Sequence, residues 1–385
     1  MAGSTMLARL EQLAGLALIV TVLADVFLNV LYARAGIAII SRPLAHGVRA
    51  VFVGVGRLFP THRPRILSFC GPAIVVALLF TWVAGLTIGS AMVLQPALGT
   101  ALRTFGEPIG HGFATALYVA AGLISSAGAG GLSPHTTAYN LFFAFDSFLG
   151  ISVMTLAITY LMQLYAALQA RDELALKVEL MTGQTGDAAR LVAGLGPDGR
   201  FETGYAILAE IAAELSRVKE AHHLYPVLFY FRFPQALYEL SRFTLVLLDA
   251  VALIRAGLEP RAAGWLQRSA GLEHLERGGL VLIETLHRVY LRDEGEGPEE
   301  PAPEEVAAWR RRFGRGLAVL REAGCPVRRD LARAGDAYVR LRNQWNDPLL
   351  RLGGAIGHEP AEIDAALHDP QPLRDKPEPT APLIH

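Results

Sequence analysis

The chain has 385 residues, 52% of them hydrophobic and 18% charged, and a mean hydropathy of +0.33. A soluble globular chain carries about 25% charged residues, so this composition argues against a wholly soluble protein. The net charge of −1 gives no basic balance that would suggest nucleic acid. The two cysteines, Cys70 and Cys325, lie too far apart in unlike surroundings to suggest a disulfide framework.

The apolar excess sits almost wholly in the first 170 residues, and after Leu174 the chain reads as ordinary soluble protein. Three stretches are long enough to span a bilayer, which needs about 20 apolar residues. They are 13–31, interrupted by Asp25; 66–94, with no charge; and 139–168, interrupted by Asp146. The first lacks the small-residue cleavage site of a signal peptide and is read as a retained helix. Between the first two, Arg34, Arg42, Arg49, Arg57, Arg63 and Arg65 occur with no acidic residue. Such a loop faces the cytoplasm. This predicts a multi-pass protein of the inner (plasma) membrane, N-terminus outside and C-terminal half cytoplasmic. Residues 43–59 read as a helix along the inner interface or as an ordinary loop helix.

Residues 111–131 are apolar but too short to span, and they end in glycines. A half helix followed by non-helical backbone survives at membrane depth only inside protein or along a water-filled path. This predicts a segment that enters the membrane and leaves on the same side.

From Ala116 to Pro134 the chain reads ALYVAAGLISSAGAGGLSP. This resembles the pore signature of the potassium-channel family: a pore helix, a Thr-Val-Gly-Tyr-Gly-Asp type filter, and a proline shortly after. The resemblance covers about residues 65–170. It aligns Ser126, Ala127, Gly128, Ala129 and Gly130 with the filter. Ser125 takes the place of the preceding threonine, Gly131 that of the acid, and Pro134 that of the proline. Gly150, twenty residues beyond Gly130, matches the family's inner-helix hinge glycine. The resemblance implies an all-α membrane protein with an outer helix, re-entrant pore loop and inner helix, an extra N-terminal transmembrane helix, and a helical cytoplasmic domain. It also implies a homotetramer, since four loops build one ring of carbonyls around a dehydrated ion. Glycines at 128 and 130 keep the backbone freedom that a filter needs, and the Ser126 hydroxyl matches the innermost ligand. Three braces are trimmed: the aromatic becomes Ala129, the valine Ala127 and the acid Gly131. The expectation is a weakly selective channel for monovalent cations, K⁺ or Na⁺, with no cofactor. The alternative is a non-conducting membrane receptor or scaffold that keeps the channel fold.

Intramembrane carboxylates are costly and face protein or water. Asp146, one turn before Gly150, reads as a cation-attracting charge, a brace behind the filter, or a helix-packing acid. Asp25 reads as a partner for another helix, with Asn29 on its own face.

The third span is expected to run on as helix through 160–180 and to end at 182–186, which would make the soluble half a lever on the gate. Apolar residues then recur at helical spacing, as in Ile207, Ile211 and Leu215, which predicts a helical bundle. Gly194, Gly196 and Gly199 form GxGxxG, but Pro197 sits inside and no strand precedes it, against a dinucleotide site. The pairs Glu220/His223 and Glu284/His287 have di-iron spacing but read more simply as surface or capping residues. The run from His222 and Tyr225 to Phe229, Tyr230, Phe231 and Phe233 reads as aromatic core. No nucleophile-and-base arrangement is recognisable, so no enzyme and no metal site is expected; a small ligand of the cytoplasmic domain stays open. The expected organisation is 1–64, N-terminal helix and basic loop; 65–170, pore domain; 171–292, cytoplasmic helices; 293–305, acidic linker; 306–367, arginine-rich helices; and 368–385, a disordered tail.

Overall fold

The computed structural model describes residues 2–32, 39–104, 110–291 and 301–365. Arg34, the 293–300 part of the acidic linker and the 368–385 tail lie outside them. Three described helices are long and apolar enough to cross a membrane: Met6–Leu31, Cys70–Ala97 and Thr137–Met181. The chain divides into two compact units, each described by itself.

The first unit takes in Met1–Pro60, Phe69–Ala166 and Leu224–Leu228. Helix α1 (Ala2–Val26) runs into a wider π turn at Phe27–Leu31, and α2 (Ser41–Leu58) follows. The start of α2 explains Asp25. Its Oδ1 accepts the backbone N–H groups of Ile39 (2.9 Å) and Ile40 (2.8 Å). Its Oδ2 accepts from the Ser41 hydroxyl (2.6 Å) and the Trp82 indole N–H (2.9 Å). The first turn of a helix leaves N–H groups unpaired, and here a carboxylate fifteen residues upstream supplies the acceptor. Asn29 bonds the Asp25 carbonyl and the Ser41 hydroxyl, both near 2.8 Å.

The 66–94 stretch is not one helix. A short α3 (Arg63–Ser68) stops, and α4 (Cys70–Leu94) begins after Phe69. Pro72 causes the break: its ring would clash with the Ser68 carbonyl four residues back in a continuous helix. Helix α1 lies against α4 at glycines. A Cβ on Gly15 would sit 2.5 Å from the Gly89 carbonyl oxygen, and one on Gly85 2.7 Å from Val22. Small residues permit such backbone approach between apolar helices.

Next come strand β1 (Leu102–Thr104), helix α5 (Phe113–Ile124), strand β2 (Leu132–Pro134) and helix α6 (Thr137–Met181). The strands pair antiparallel, Leu102 opposite Pro134 and Thr104 opposite Leu132. This three-residue ribbon corrects the all-α expectation; it is too short to show alternation in sequence. Ala91, Leu94, Leu102, Ala116, Ala120 and Leu132 form the buried core around it. Helix α6 belongs to the first unit up to Ala166 and to the second from Ala167, and it is one unbroken helix through Gly150. Gly183, Gln184 and Gly186, all at positive φ, end it.

The second unit takes in Thr61–Ser68, Ala167–His223 and the chain from Phe229. Helices α7 (Ala188–Leu195), α8 (Glu202–Leu224), α9 (Leu240–Gly257), α10 (Pro260–Gln267) and α11 (Ala270–Tyr290) precede the acidic stretch. After it come α12 (Pro303–Glu322), α13 (Leu331–Asn343), α14 (Asn346–Ala355) and the short α15 (Pro360–Ile363). Every residue of α9 except Arg255 is buried, because α7, α11, α12, α13 and α14 pack around it.

These units redraw the expected boundaries. Most of the 1–64 and 65–170 segments share one unit because α1 and α2 pack on α4, while 61–68 and 167–170 fall in the other. The 171–292 and 306–367 segments share the other because α12 and α13 pack on α7 and α9. The aromatic run also splits. Tyr225 joins the first unit, with its hydroxyl on Gln163 (2.8 Å) and its ring against Tyr160. Phe229 joins the second, stacked on Tyr290 with centroids 3.9 Å apart.

Candidate functional site

Helix α5 ends where its sequence turns to serine and glycine. The following loop carries Ser126 (φ 59°), Gly128 (φ 103°), Gly130 (φ 59°) and Gly131 (φ 82°) in the left-handed region. Three of the four are glycines, which pay no Cβ penalty there; Ser126 does. The loop is tied back to its own helix. The Ser126 N–H donates to the Leu123 carbonyl (3.0 Å) and the Gly128 N–H to the Gly122 carbonyl (3.1 Å). A Cβ on Gly122 would lie 2.0 Å from the Gly128 carbonyl oxygen, so only glycine fits at 122. At the far end the Leu132 N–H reaches the Ala129 carbonyl (3.1 Å), and β2 takes over at Leu132.

Ser125, Ser126, Ala127, Gly128 and Gly130 are exposed, and Ala129 is half-buried. Behind them lies a cavity of about 480 Å³, bounded by Val83, Leu86 and Thr87 of α4, Tyr118 and Ile124 of α5, and Gly150, Val153 and Met154 of α6. Its walls are mostly apolar, and among the described residues no charged side chain lines it. Tyr118 was not singled out in the sequence. Its ring lies over Gly130, where a Cβ would be 2.4 Å from Cε1, and it is 66% exposed. An aromatic ring from α5 is thus set against the loop that holds Ala129. The one clue was an isolated tyrosine among the small residues of α5.

Gly150 has a packing role in this structure. A Cβ there would sit 2.0 Å from the Ile124 carbonyl oxygen, so its absence lets α6 meet the end of α5. Asp146 is fully buried and accepts the Ser90 hydroxyl of α4 (2.6 Å). Its second oxygen has no partner among the described residues. Of the readings offered for it, helix packing fits this burial, and a charge facing an aqueous cavity does not.

On the other side of α6, Leu141, Phe145, Phe148, Thr155, Thr159 and Met162 are exposed. With Ser152 they recur at alternating steps of four and three, the period of helices that pack side by side. The Ser152, Thr155 and Thr159 hydroxyls each donate to the carbonyl four residues back (2.8–2.9 Å), so a hydroxyl band interrupts the apolar stripe.

In the second unit the buried polar groups gather around Asp249 of α9. Arg312 Nη2 lies 2.6 Å from its Oδ2 and Arg342 Nη1 3.2 Å from its Oδ1, and the Tyr338 hydroxyl also donates to it. Arg342 pairs in turn with Asp364. Burial pushes the Asp249 carboxyl up, but the two guanidiniums and Tyr338 more than reverse this, and it is held below the usual carboxylate range. His222 is buried with Nδ1 on the Val218 carbonyl (2.9 Å). Burial, aided by the Arg171 charge, pushes its pKa down to about 4.

The remaining motifs find ordinary partners. Glu220 pairs with Lys219 and Glu284 with Arg288, while His287 meets the Pro348 carbonyl (3.0 Å). Among the described residues no group of three His, Cys, Asp or Glu side chains is arranged to hold a metal. Helix α7, not a strand, leads into the 194–199 glycines and contains the first of them, Gly194.

Comparison with known proteins finds no matching family model and no matching solved structure. The chain is similar to YdjJ, an uncharacterized membrane protein of Bacillus subtilis (strain 168). The two are 21% identical over 291 residues, which covers 75% of this chain and 82% of the relative. This likeness and the three long apolar helices agree: the chain is a predominantly helical membrane protein.

Proposed function

We propose that this protein is a homotetrameric cation channel of the potassium-channel-like pore class, with α4 as outer helix, α5 as pore helix, 126–130 as filter and α6 as inner helix. The observation that carries the reading is the 126–131 loop. It follows a helix of twelve residues, about 18 Å long, against about 30 Å of hydrocarbon. Its backbone turns through four left-handed residues and lies exposed, which supports reading it as an irregular loop at membrane depth that offers backbone groups to a path. The unpartnered α6 stripe supports four copies around one axis, with Ser152, Thr155 and Thr159 lining the path below the filter. The trimmed side chains at 127, 129 and 131 give weak selection between K⁺ and Na⁺. Helix α6 carries gating between the filter and the second unit.

The test is ion flux through purified protein in liposomes, comparing K⁺, Na⁺ and a large organic cation, with Gly128→Asp as control. The reading predicts flux of both small cations, exclusion of the large one, and loss of flux in the variant. Flux equal in wild type and Gly128→Asp overturns it.

A further inference from the structure

Residues 61–68 lead directly into α4, yet they belong to the second unit. Arg232, 4% exposed, holds them there. Its Nη1 donates to the Pro64 carbonyl (2.8 Å) and its Nη2 to the Gly357 carbonyl (3.4 Å). Leu67 packs against Gly357, where a Cβ would lie 2.6 Å from Leu67 Cδ1.

The next residue, His358, is buried between two carboxylates. Nδ1 lies 2.9 Å from Glu362 Oε2 of α15. Nε2 lies 3.2 Å from Glu239 Oε2, just ahead of α9, at ion-pair distance though out of line for a hydrogen bond. Both carboxylates are anchored. Glu239 Oε1 accepts the Ser241 N–H (3.3 Å), and Glu362 Oε2 the Glu359 N–H (3.1 Å). Neither turns away from the ring without giving up a helix cap.

A neutral imidazole has one N–H and one lone pair; the imidazolium donates at both nitrogens. Between two carboxylates the neutral ring must turn its lone pair on one of them. With the ring charged, two anions (Glu239, Glu362) meet two cations (His358, Arg232). Arg63 adds repulsion at Arg232. Arg242 bonds the Glu362 backbone carbonyl and is paired with Glu179. When the ring loses its proton, Arg232 is left to balance both carboxylates, and that attraction competes with its bond to Pro64.

We infer that His358 is a proton-dependent clasp on the segment that enters the membrane: with the ring charged, Arg232 stays on Pro64 and Gly357 and holds 61–68 in place, and deprotonation loosens it. This concerns the second unit alone and does not rest on conduction.

The test is hydrogen–deuterium exchange of 61–68 in the full chain in lipid nanodiscs at pH 5.5 and pH 8, corrected for intrinsic exchange and referenced to α9. Protection is expected to be about tenfold greater at pH 5.5, within the range of ordinary site-to-site coupling. His358→Gln should remove the pH dependence. Glu239→Gln, which keeps a cap acceptor while removing the charge facing Nε2, should reduce it. Equal protection at both pH values in wild type overturns the clasp, as does an undiminished pH dependence in either variant.

Discussion

The two units solve the same problem, specifying one packing of helices, in opposite ways. In the first, helices meet where atoms are missing: Gly15 and Gly89 between α1 and α4, Gly122 against its own loop, Gly150 against α5. Its buried carboxylates are few and serve as ties, Asp25 to α2 and Trp82, Asp146 to Ser90. In the second, α9 is buried with a carboxylate at its middle, and arginines from α12 and α13 converge on it. Where lipid replaces water, burying apolar area no longer distinguishes one helix contact from another, so shape and small residues decide. In the second unit a buried charge ties the helices together, because removing one partner strands the other.

Removing charge should therefore hurt the second unit most. Asp249→Ala leaves Arg312 and Arg342 facing a vacancy and is expected to cost about 3–5 kcal/mol, read as a lower melting temperature of the full chain in detergent. A loss under about 1 kcal/mol would show that the network relaxes or hydrates.

Acid should act on the same unit through His222. Its pKa falls from an ordinary 6.5 to about 4 in the fold. The unfolded chain therefore binds the proton first, and stability is lost as pH drops from about 6.5 to about 4. At about 1.4 kcal/mol per unit this amounts to about 3 kcal/mol. Unfolding measured across that window should flatten by this amount in His222→Gln; an unchanged slope would reassign the effect.

In the first unit the sensitive atoms are the absent ones. Gly150→Ala places a methyl 2.0 Å from the Ile124 carbonyl oxygen and should cost about 1–3 kcal/mol by overpacking. Gly54→Ala in α2, where a Cβ meets nothing within 4 Å, should instead gain about 0.5–1 kcal/mol from helix propensity. Equal effects at 54 and 150 would break the contrast.

Much of the first unit was legible in sequence because its signals are local. Hydropathy shows the three long helices, and the clustered glycines of 126–131 mark backbone that cannot be helical. What escaped depends on partners far along the chain. Nothing near Asp25 says that it caps a helix starting at Ser41, and nothing near Tyr118 says that its ring will cover Gly130. For Gly150, matched to the hinge glycine by resemblance, spacing shows the missing Cβ but not the Ile124 carbonyl that packs against it. The break at Phe69 was readable from Pro72 and was masked by unbroken hydropathy. In the second unit, periodicity gave the bundle but not its centre, since Asp187, Asp249, Arg312, Arg342 and Asp364 are spread over nearly 180 residues and look like surface charges one by one.

The central claim, that cations cross at 126–130 with weakened selection, is tested most directly by the current through a planar bilayer holding K⁺ on one side and Na⁺ on the other. The account predicts a cation current that reverses near zero in wild type and is absent in Gly128→Asp. A current that reverses far from zero, in the direction that K⁺ selection requires, contradicts the weakened filter, and a current unchanged by Gly128→Asp contradicts the path itself.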